Sequence, residues 1–367
     1  MSTDWQQLDV TEIDSPALII DREKVQSNIR LAIKYAGGTE RLRPHVKTHK
    51  MLEVARMEIG EGIEKFKCAT IAEAEMLGMA GAEDVLIAYP VQGPKIRRVL
   101  KLIDKFPATK YSVLVDNVAT AAEMNESFKR AGKISRVFID INNGQNRTGI
   151  KIEDARKLVP EIETMTNLHF VGLHCYDGHI RDSSLEERTR LCRKAFQSVI
   201  DLRDDLKEGL RREITIIAGG SPSFSVHAKY HDVECSPGTF IFWDQRYGDD
   251  YAEQKFDKAA VLLGRVISQL DANTYCIDLG HKSVASEFPF PRVEFLHTGK
   301  FEQIGHSEEH LIIKSEEENV LEVGQMMLAY PNHVCPTVAL YDHVYIVSTG
   351  EVVQQWEVIA RNRKITI

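Results

Sequence analysis

The strongest constraint on the fold is an alternation of short β-rich runs with amphipathic helical stretches. Eight runs are predicted to be strands because β-branched and aromatic residues fill them and turn residues bound them. They cover residues 41–49, 66–71, 84–90, 109–117, 135–143, 168–176, 213–220 and 234–242. Helix-forming residues with apolar positions three or four apart occupy the intervals 118–132, 152–166 and 184–210.

Eight strands that alternate with helices over roughly 200 residues predict a (β/α)8 barrel, with an open doubly wound sheet as the alternative. After about residue 250, strand-like pieces follow one another without long helices. We therefore assign the barrel to residues 21–248 and a β-rich C-terminal domain to residues 249–367. Residues 1–20 are expected to supply a strand that joins that second domain.

Composition narrows the classes of partner. The 367 residues carry a formal net charge of -8, which gives no broad positive surface for nucleic acid or an anionic membrane. No apolar run approaches the ~20 residues that a membrane helix needs, and the acidic start lacks the pattern of a secretion signal. Six cysteines without CxxC spacing fit reduced thiols, so a cytoplasmic location is expected.

The stretch "RPHVKTHK" ends the first predicted barrel strand and concentrates positive charge in an acidic chain. Active sites of such barrels lie at the carboxyl ends of the strands. Lys47 is placed there, and a lysine with neighbouring cations or in a buried position can bond covalently to a carbonyl compound. His45, His49 and Lys50 would provide the cationic surroundings. A solvated basic loop is the alternative interpretation.

Polar residues also follow the fifth and sixth strands. In "DINNGQNRTG", Arg147 could pair with an anionic oxygen, and Gly144 and Gly149 permit sharp bends. The loop "GLHCYDGHIRD" offers several groups able to bind or transfer protons: His174, Tyr176, Asp177, His179 and Asp182. A polar loop with internally bonded side chains would look the same in the sequence.

The seventh and eighth strands end in "AGGSPSFS" and "CSPGTF", two loops rich in small residues and backbone donors. Loops at these two positions form the phosphate site of many barrels. A lysine after strand one, an arginine after strand five and this phosphate cradle together predict pyridoxal 5'-phosphate as the cofactor.

A second centre is predicted in "YPNHVCPTV", where His333 and Cys335 stand two residues apart. On a strand, that spacing puts both side chains on one face. Imidazole and thiolate suit a borderline-soft divalent ion, zinc above all. Two ligands are too few for a structural zinc site, so the pair alone is weak support for a metal.

The ordered set "RPHVKTHK", "DINNGQNRTG", "YDGH", "AGGSPS", "SPGTF", "DLGHKS" and "HVCPT" resembles the D-threonine aldolase and D-serine dehydratase family, of the alanine-racemase-like fold. The resemblance implies that Lys47 bonds the cofactor, that Arg147 contacts its phenolic oxygen and that Tyr176 lies by its ring. It also implies a set of phosphate-binding residues: Gly219, Gly220, Ser221, Gly238 and Thr239.

The same resemblance implies a divalent metal, zinc or manganese with magnesium possible, at His333 and Cys335. A catalytic ion with an open shell could bind the β-hydroxyl of a D-3-hydroxy amino acid. Where aldolases of this family carry a basic histidine after the tyrosine, this chain has Asp182. His179, Asp177 or Asp182 is therefore the expected catalytic base, and the identity of the base is left open.

Aldol cleavage, as in D-threonine aldolase, is the reaction we favour. Dehydration of D-serine or D-threo-3-hydroxyaspartate is the main alternative, because "HVC" is more typical of the zinc-dependent dehydratases. An amino-acid racemase would need no metal, and a non-catalytic pyridoxal-phosphate carrier would not need the C-terminal domain. The resemblance further implies a head-to-tail homodimer.

Overall fold

The computed structural model describes residues 4–297 and 299–367. Residues 1–3 of the predicted N-terminal segment lie outside this part of the chain. The chain forms two compact units, which we call the barrel unit and the β unit. The barrel unit comprises Leu31–Lys47, Leu52–Gly238 and Asn362–Ile367. The β unit comprises the residues up to Arg30, together with Thr48–Met51 and Thr239–Arg361.

Seven parallel strands form the curled sheet of the barrel unit, and their order in the sheet follows their order in the chain. They are β2 (Lys65–Cys68), β3 (Asp84–Pro90), β4 (Lys110–Val115), β5 (Ser135–Ile141), β6 (Leu168–Cys175), β7 (Thr215–Ala218) and β8 (Val233–Cys235). The prediction of a parallel barrel sheet followed by a β-rich domain is confirmed.

Helices connect these strands, as a parallel sheet requires. They are α2 (Leu52–Gly60), α3 (Ile71–Ala80), α4 (Pro94–Lys105), α5 (Val118–Arg130), α6 (Ile152–Glu163), α7 (Leu185–Leu210) and α8 (Phe224–His227). In α4, the buried residues Ile96, Val99 and Leu102 recur three apart between charged residues, and Pro94 opens the helix. The apolar stripe and the proline at the first turn explain why this segment forms an amphipathic helix.

The predicted first barrel strand, residues 41–49, is wrong. Residues 42–46, which we call the closing segment, form isolated bridges and no strand. Pro44 stands at the centre of the segment and has no N–H to donate, so a continuous hydrogen-bonded ladder cannot form there.

The closing segment nevertheless bonds to both edges of the curled sheet. Leu42 bridges Cys235 of β8, and His45 bridges Lys67 of β2, both in the parallel sense. The segment thus takes the place of the predicted first strand and lies between β8 and β2, and the residue that follows it is Lys47.

Apolar side chains from four strands pack inside the curled sheet. Leu86, Leu114, Phe138 and Ile217 form one buried cluster. Such a packed interior is the usual core of a barrel and supports the polar residues at the carboxyl ends of its strands.

A buried ion network lies among β2, β3, β5, β8 and the closing segment. The guanidinium of Arg43, whose side chain is 2% exposed, bonds Asp84 at 2.6 Å and Glu234 at 2.7 Å. Lys65 and Arg136 contact the same two carboxylates at 2.5 Å and 3.1 Å. Asp84 and Lys65 are the first residues of β3 and β2, so part of the network lies at the amino ends of strands, where barrels are stabilised.

The β unit is built on a mixed sheet with the strand order β12-β13-β10-β9-β1-β15-β16, in which β14 pairs with β9 and with β11. Its strands are β1 (Ala17–Asp21), β9 (Ala260–Gln269), β10 (Thr274–Ile277), β11 (Val293–Phe295), β12 (Phe301–His306), β13 (Leu311–Ser315), β14 (Met326–Pro331), β15 (His343–Ser348) and β16 (Glu351–Glu357). The N-terminal strand β1 runs antiparallel to β9 and parallel to β15.

Three further helices are α1 (Arg22–Ala36), α9 (Gln245–Asp250) and α10 (Val334–Val338). Trp5, Leu8, Val10 and Ile13 pack against β1 and β9 in one apolar cluster. The proposed division of the chain at residue 248 stays a prediction. Among the helices of the described residues, none has the length and apolar character to cross a membrane.

Candidate active site

Three side chains from separate loops of the barrel unit meet at one aromatic ring. Tyr176 directly follows β6, Lys47 follows the closing segment, and Arg147 lies in the loop after β5. The Nζ atom of Lys47 is 5.8 Å from the centroid of the Tyr176 ring, and Cζ of Arg147 is 5.0 Å from it. These are distances at which a cation is attracted to an aromatic face. The structure therefore brings together the three residues that the sequence placed on different loops.

The loop after β5 is held by one asparagine. Oδ1 of Asn142 accepts hydrogen bonds from the backbone N–H of Gly144 at 3.1 Å and of Asn146 at 3.0 Å. Asn146 has a φ of +52°, a left-handed conformation that asparagine tolerates better than most residues. The sequence "NNGQN" thus folds into a tight turn, and Arg147 follows this turn.

Asp140 and His174, on the neighbouring strands β5 and β6, form a buried pair close to these cations. Nδ1 of His174 lies 2.7 Å from Oδ1 of Asp140, and Thr148 donates to Oδ2 at 2.7 Å. Burial raises the pKa of Asp140, but the hydrogen bonds from His174 and Thr148 outweigh it, so the pKa lies below its usual value. Burial lowers the pKa of His174, and the positive charges of Lys67 and Arg147 act in the same direction.

A neutral His174 beside a carboxylate carries its proton on Nδ1. Its Nε2 is then a bare acceptor, and among the described residues this buried atom has no hydrogen-bond partner. A buried polar atom without a partner is expected to meet a ligand or water.

Lys67 also reaches the Tyr176 ring, with Nζ 5.7 Å from its centroid. The residue is 3% exposed, and its ammonium donates to Oγ of Ser236 at 2.5 Å. Burial and the charge of Lys47 lower its pKa to about 7. No motif in the sequence singled out Lys67, which lies between the buried residues Phe66 and Cys68 of β2.

The two small-residue loops after β7 and β8 contact each other. Oγ of Ser221 accepts from the backbone N–H of Gly238 at 3.2 Å, and the N–H of Ser236 lies 3.1 Å from the carbonyl oxygen of Gly219. A Cβ at Gly220 would stand 2.6 Å from Cε2 of Tyr176, so only glycine permits this approach. Four of the five residues expected to bind phosphate therefore lie on loops that contact each other.

The three candidates for the catalytic base have different surroundings. Both oxygens of the buried Asp177 are occupied, because Ser223 donates to Oδ1 at 2.6 Å and Nε2 of His227 lies 2.6 Å from Oδ2. Asp182 is exposed and accepts from the backbone N–H of Ser184 at 2.9 Å, beside the start of α7. Neither contact supports a role for Asp177 or Asp182 as the base.

His179 remains exposed and lies next to the loop that carries Arg147. A Cβ at Gly144 would stand 2.7 Å from Nε2 of His179, so the missing side chain makes room for the imidazole. Gly144 also has a φ of +120°, a backbone conformation that residues other than glycine rarely adopt. Of the three candidates, His179 is the one whose imidazole is shown against the loop that carries Arg147.

One further cluster contains three side chains of metal-binding type: Asp177, His227 and Cys192. Their potential ligand atoms all lie within 4.8 Å of one another, and no other such set of three or more occurs in residues 4–297 and 299–367. Sγ of Cys192 is 3.6 Å from Oδ2 of Asp177. Burial and the Asp177 charge raise the pKa of this thiol, which favours the protonated form that donates a hydrogen bond. The cluster therefore has the chemistry of a buried hydrogen-bond network that fixes the loop after β6.

In the β unit, the prediction that His333 and Cys335 lie on a strand is wrong. The strand β14 ends two residues before His333, which occupies the N-terminal cap position of α10, and Cys335 lies in the first turn. Pro336 is tolerated there because the first turn needs no N–H, and Thr337 donates to the carbonyl of His333 at 2.8 Å. The two side chains still meet, because the imidazole and the sulfur form a hydrogen bond.

Hydroxyl and carboxylate groups surround this pair. Sγ of Cys335 lies 3.1 Å from Oγ1 of Thr48 and 3.4 Å from Oγ1 of Thr239. Nδ1 of His333 contacts the carboxylate of Glu287. Burial opposes protonation of His333, but Cys335 and Glu287 outweigh it and raise its pKa to about 9. Thr239, which was expected to hold phosphate, is thus a neighbour of the predicted metal ligand.

Asp244 is a further buried carboxylate near α10. Its Oδ2 accepts from the backbone N–H of Val334 at 3.1 Å, and its Oδ1 accepts from Tyr247 at 2.9 Å. Burial raises its pKa to about 6. The carboxylate bonds to the backbone at the starts of α9 and α10 and thereby fixes the helix turn that carries Cys335.

The residues present fit both predicted groups. In the barrel unit, clustered cations, the close approach at Gly220 and the bare Nε2 of His174 suit a polar aromatic ligand with an oxyanion. In the β unit, an imidazole and a thiol suit a borderline-soft divalent ion, and a carboxylate behind the imidazole is a usual companion of metal-binding histidines.

Comparison with known proteins covers both parts of the chain. Residues 20–246 match the family model of the alanine racemase N-terminal domain. Residues 259–347 match a model described as a serine dehydratase domain. The first match alone spans more than half of the 367 residues.

Individual relatives are similar over nearly the whole chain. A D-threonine aldolase from Arthrobacter sp is 28% identical over 360 residues, which is 96% of this chain and 94% of the relative. A 3-hydroxy-D-aspartate aldolase from Paracoccus denitrificans (strain Pd 1222) is 29% identical over 373 residues, 97% of this chain and 94% of the relative. The crystal structure of D-threonine aldolase from Filomicrobium marinum superposes with a TM-score of 0.87 at 26% identity, covering 96% of this chain and 97% of that one. These matches confirm the resemblance expected from the ordered motifs.

Proposed function

The chain belongs to the alanine racemase N-terminal domain family, and from the aldolases that it resembles over nearly its whole length we propose that it is a pyridoxal-phosphate- and divalent-metal-dependent lyase acting on D-3-hydroxy amino acids. We propose D-threonine aldolase as the specific activity. The observation that carries this proposal is the meeting of Lys47 and Arg147 at the Tyr176 ring, in a chain whose aldolase relatives cover nearly its full length.

The barrel unit supplies the residues that would hold the cofactor. When bound, pyridoxal phosphate withdraws electrons from the bond that breaks at the substrate α-carbon. Lys47 supplies the amine that bonds to it, and Arg147 supplies a positive charge for its phenolic oxygen. The loops with Gly219, Gly220, Ser221 and Gly238 offer backbone and hydroxyl donors to its phosphate. A role of Thr239 in this binding stays a prediction.

His333 and Cys335 would hold the metal, with zinc the first choice for an imidazole and a thiolate, and manganese the second. The bound ion supplies a positive charge that makes the substrate β-hydroxyl more acidic. Glu287 contacts Nδ1 of His333 and thereby leaves Nε2 as the nitrogen that would bind a metal.

We assign the catalytic base to His179. In the aldol cleavage, the imidazole accepts the proton of the β-hydroxyl, the Cα–Cβ bond breaks and an aldehyde leaves. The α-carbon then takes up a proton, and the amino acid product is glycine. His179 suits this role because its ring is exposed beside the loop that carries Arg147.

Dehydration is the second candidate, and two observations favour it. Cys335 is the ligand type expected in the zinc-dependent dehydratases, and residues 259–347 match the serine dehydratase domain model. In that reaction Lys47 would remove the α-proton and the β-hydroxyl would leave as water. The products would be a 2-oxo acid and ammonia.

The deciding experiment is a product assay. Purified protein with pyridoxal phosphate is incubated with D-threonine or D-serine in the presence of Mn²⁺ or Zn²⁺, and L-threonine serves as the control. Glycine with acetaldehyde indicates the aldolase, and a 2-oxo acid with ammonia indicates the dehydratase. Interconversion of D- and L-alanine that survives a strong chelator would indicate a racemase. Bound cofactor without turnover of any D-amino acid would indicate a carrier.

A variant pair tests the base. His179→Gln is expected to lose most aldol cleavage while it keeps the visible absorbance of the bound cofactor. His231→Gln, another exposed histidine of the barrel unit, is the matched control and should retain activity. We also propose a head-to-tail homodimer, which the molar mass measured by light scattering would test.

A further inference from the structure

Lys67 is a buried lysine that faces the interior of the curled sheet. It stands in register with Leu86 of β3, so the two side chains share one face of the sheet. Leu86 belongs to the apolar cluster inside the barrel unit. The sheet therefore directs an ammonium group into its own interior, where an unpaired charge is costly.

The hydrogen bonds of Lys67 do not use all of its donors. An ammonium has three N–H groups, and the contact within hydrogen-bond distance is Oγ of Ser236 at 2.5 Å. No carboxylate of the described residues lies within 4 Å of it. The titratable or charged groups that interact with it come from the loop after the closing segment, from β5 and its following loop, and from β6 and its following loop: Lys47, Asp140, Arg147, His174, Cys175 and Tyr176.

Ser236 connects this lysine to the small-residue loops. Its backbone N–H lies 3.0 Å from the carbonyl oxygen of Ala218 and 3.1 Å from that of Gly219. Lys67 thus lies near the cations around Tyr176 and, through Ser236, also near the loops that are expected to bind phosphate.

We propose that Lys67 and Ser236 form an anion-binding subsite inside the barrel unit, which takes an oxyanion of bound pyridoxal phosphate. Lys67 is then a positioning residue that holds the cofactor through a charge–charge contact, distinct from the covalent bond made by Lys47. The subsite rests on the proposed cofactor and adds a residue that no motif indicates.

A proton accompanies this binding. With a pKa of about 7, Lys67 is mostly neutral at pH 8 before the ligand binds. An anion in contact favours the charged form, so the pKa rises and the amine takes up a proton. A group that goes from about one-tenth to fully protonated takes up about 0.9 proton per site.

Calorimetry measures both quantities. Apoprotein is titrated with pyridoxal phosphate at pH 8 in buffers of different ionisation enthalpy, which yields the dissociation constant and the protons exchanged. Lys67→Met keeps the volume and removes the charge. We expect affinity to fall about ten- to a hundredfold, as for loss of a charged hydrogen bond, and proton uptake to be lower by about 0.9 per site than in the wild type.

Two further variants separate this effect from loss of structure. Lys65→Met removes a lysine from the same strand, one that is 30% exposed and paired with Glu234, and should leave both quantities unchanged. Ser236→Ala keeps the lysine and should give a smaller loss of affinity. Thermal unfolding of each variant establishes that it folds. Equal affinity and equal proton exchange in wild type and Lys67→Met would overturn the subsite.

Ligand analogues identify the oxyanion. If the phosphate is bound, Lys67→Met weakens pyridoxal phosphate and inorganic phosphate but leaves pyridoxal unaffected. If the phenolic oxygen is bound, the variant weakens pyridoxal as well. Either result supports the subsite. The failure of the subsite can be distinguished from the failure of the proposed function. If the wild type binds the cofactor and cleaves D-threonine, and Lys67→Met has the same affinity and proton exchange as the wild type, only the subsite is refuted. A wild type that binds no pyridoxal phosphate refutes both.

Discussion

Replacing Asp140 by asparagine should invert the proton arrangement of His174. The carboxylate accepts the Nδ1 proton of the imidazole at 2.7 Å and a hydroxyl proton from Thr148 at 2.7 Å. An asparagine of the same shape can accept only through its oxygen. If that oxygen stays with Thr148, the amide N–H₂ faces Nδ1 and requires it to be bare. The proton of His174 then moves to Nε2, and this nitrogen changes from a hydrogen-bond acceptor to a donor.

The free-energy cost follows from the same contacts. Hydrogen bonds to a charged group contribute about 1.5–3 kcal/mol and neutral ones about 0.5–1.5 kcal/mol, so each bond loses roughly 1–1.5 kcal/mol. Part of this is recovered because the buried charge of Asp140, 3% exposed, no longer has to be desolvated. We expect Asp140→Asn to lower the free energy of unfolding by about 2 kcal/mol.

Nitrogen NMR of protein labelled with ¹⁵N-histidine reports the tautomer directly. The signals of His174 are assigned from their absence in His174→Gln, and denaturant unfolding gives the stability. Asp182→Asn is the control, since that carboxylate is exposed. If Nδ1 keeps its proton in Asp140→Asn, the carboxylate does not set the tautomer and the reasoning fails.

Four more outcomes are expected. Lys47→Ala should bind pyridoxal phosphate without its visible absorbance and should not turn over substrate, and an unchanged spectrum would exclude this lysine. Cys335→Ala should lose the metal, measured by elemental analysis, but keep the cofactor absorbance; normal metal content would refute the ligand. Arg43→Met should lower the free energy of unfolding by about 3 kcal/mol, because Arg136 is then the remaining ion-pair partner of Asp84 in the buried network. A change below about 1 kcal/mol would refute that role of Arg43. Hydrogen bonds from Thr366 and the backbone outweigh the burial of Glu75 and lower its pKa to about 2. The carboxylate therefore contributes stability above pH 4.5 that is lost as the pH falls toward 2. Glu75→Gln should reduce the dependence of stability on pH in this acid range, and an unchanged dependence would contradict this.

Local sequence patterns determined most of the fold. The run 84–90 coincides with β3, and the interval 184–210 differs from α7 by one residue. Such segments are predictable because burial pattern and capping both lie within the segment itself. The prediction of a strand at residues 41–49 was wrong because Val46 and Thr48 are its only β-branched residues and Pro44 lacks the N–H that a ladder needs.

The site was predictable where a motif fixed the loop. Lys47, Arg147 and Tyr176 come from motifs at strand ends, where barrel topology alone brings them together. His333 and Cys335 meet although the predicted strand ends before them, because His333 at the cap position of α10 still has an extended backbone, with φ of -138° and ψ of 101°. Lys67 could not be found from a motif, since its contact with Ser236 joins two residues that lie far apart in the sequence.

The closing segment also has a consequence for local opening. Amide protons of a continuous ladder exchange with solvent only when several neighbouring bonds break together, whereas isolated bridges can break one at a time. The amides of Arg43, His45 and Val46, which bond Cys235, Pro237 and Lys67, should therefore exchange deuterium sooner than those of β4 or β5. The backbone leading into Lys47 would then open locally while β4 and β5 keep their hydrogen bonds, which gives the lysine that we propose to bind the cofactor freedom to change its conformation.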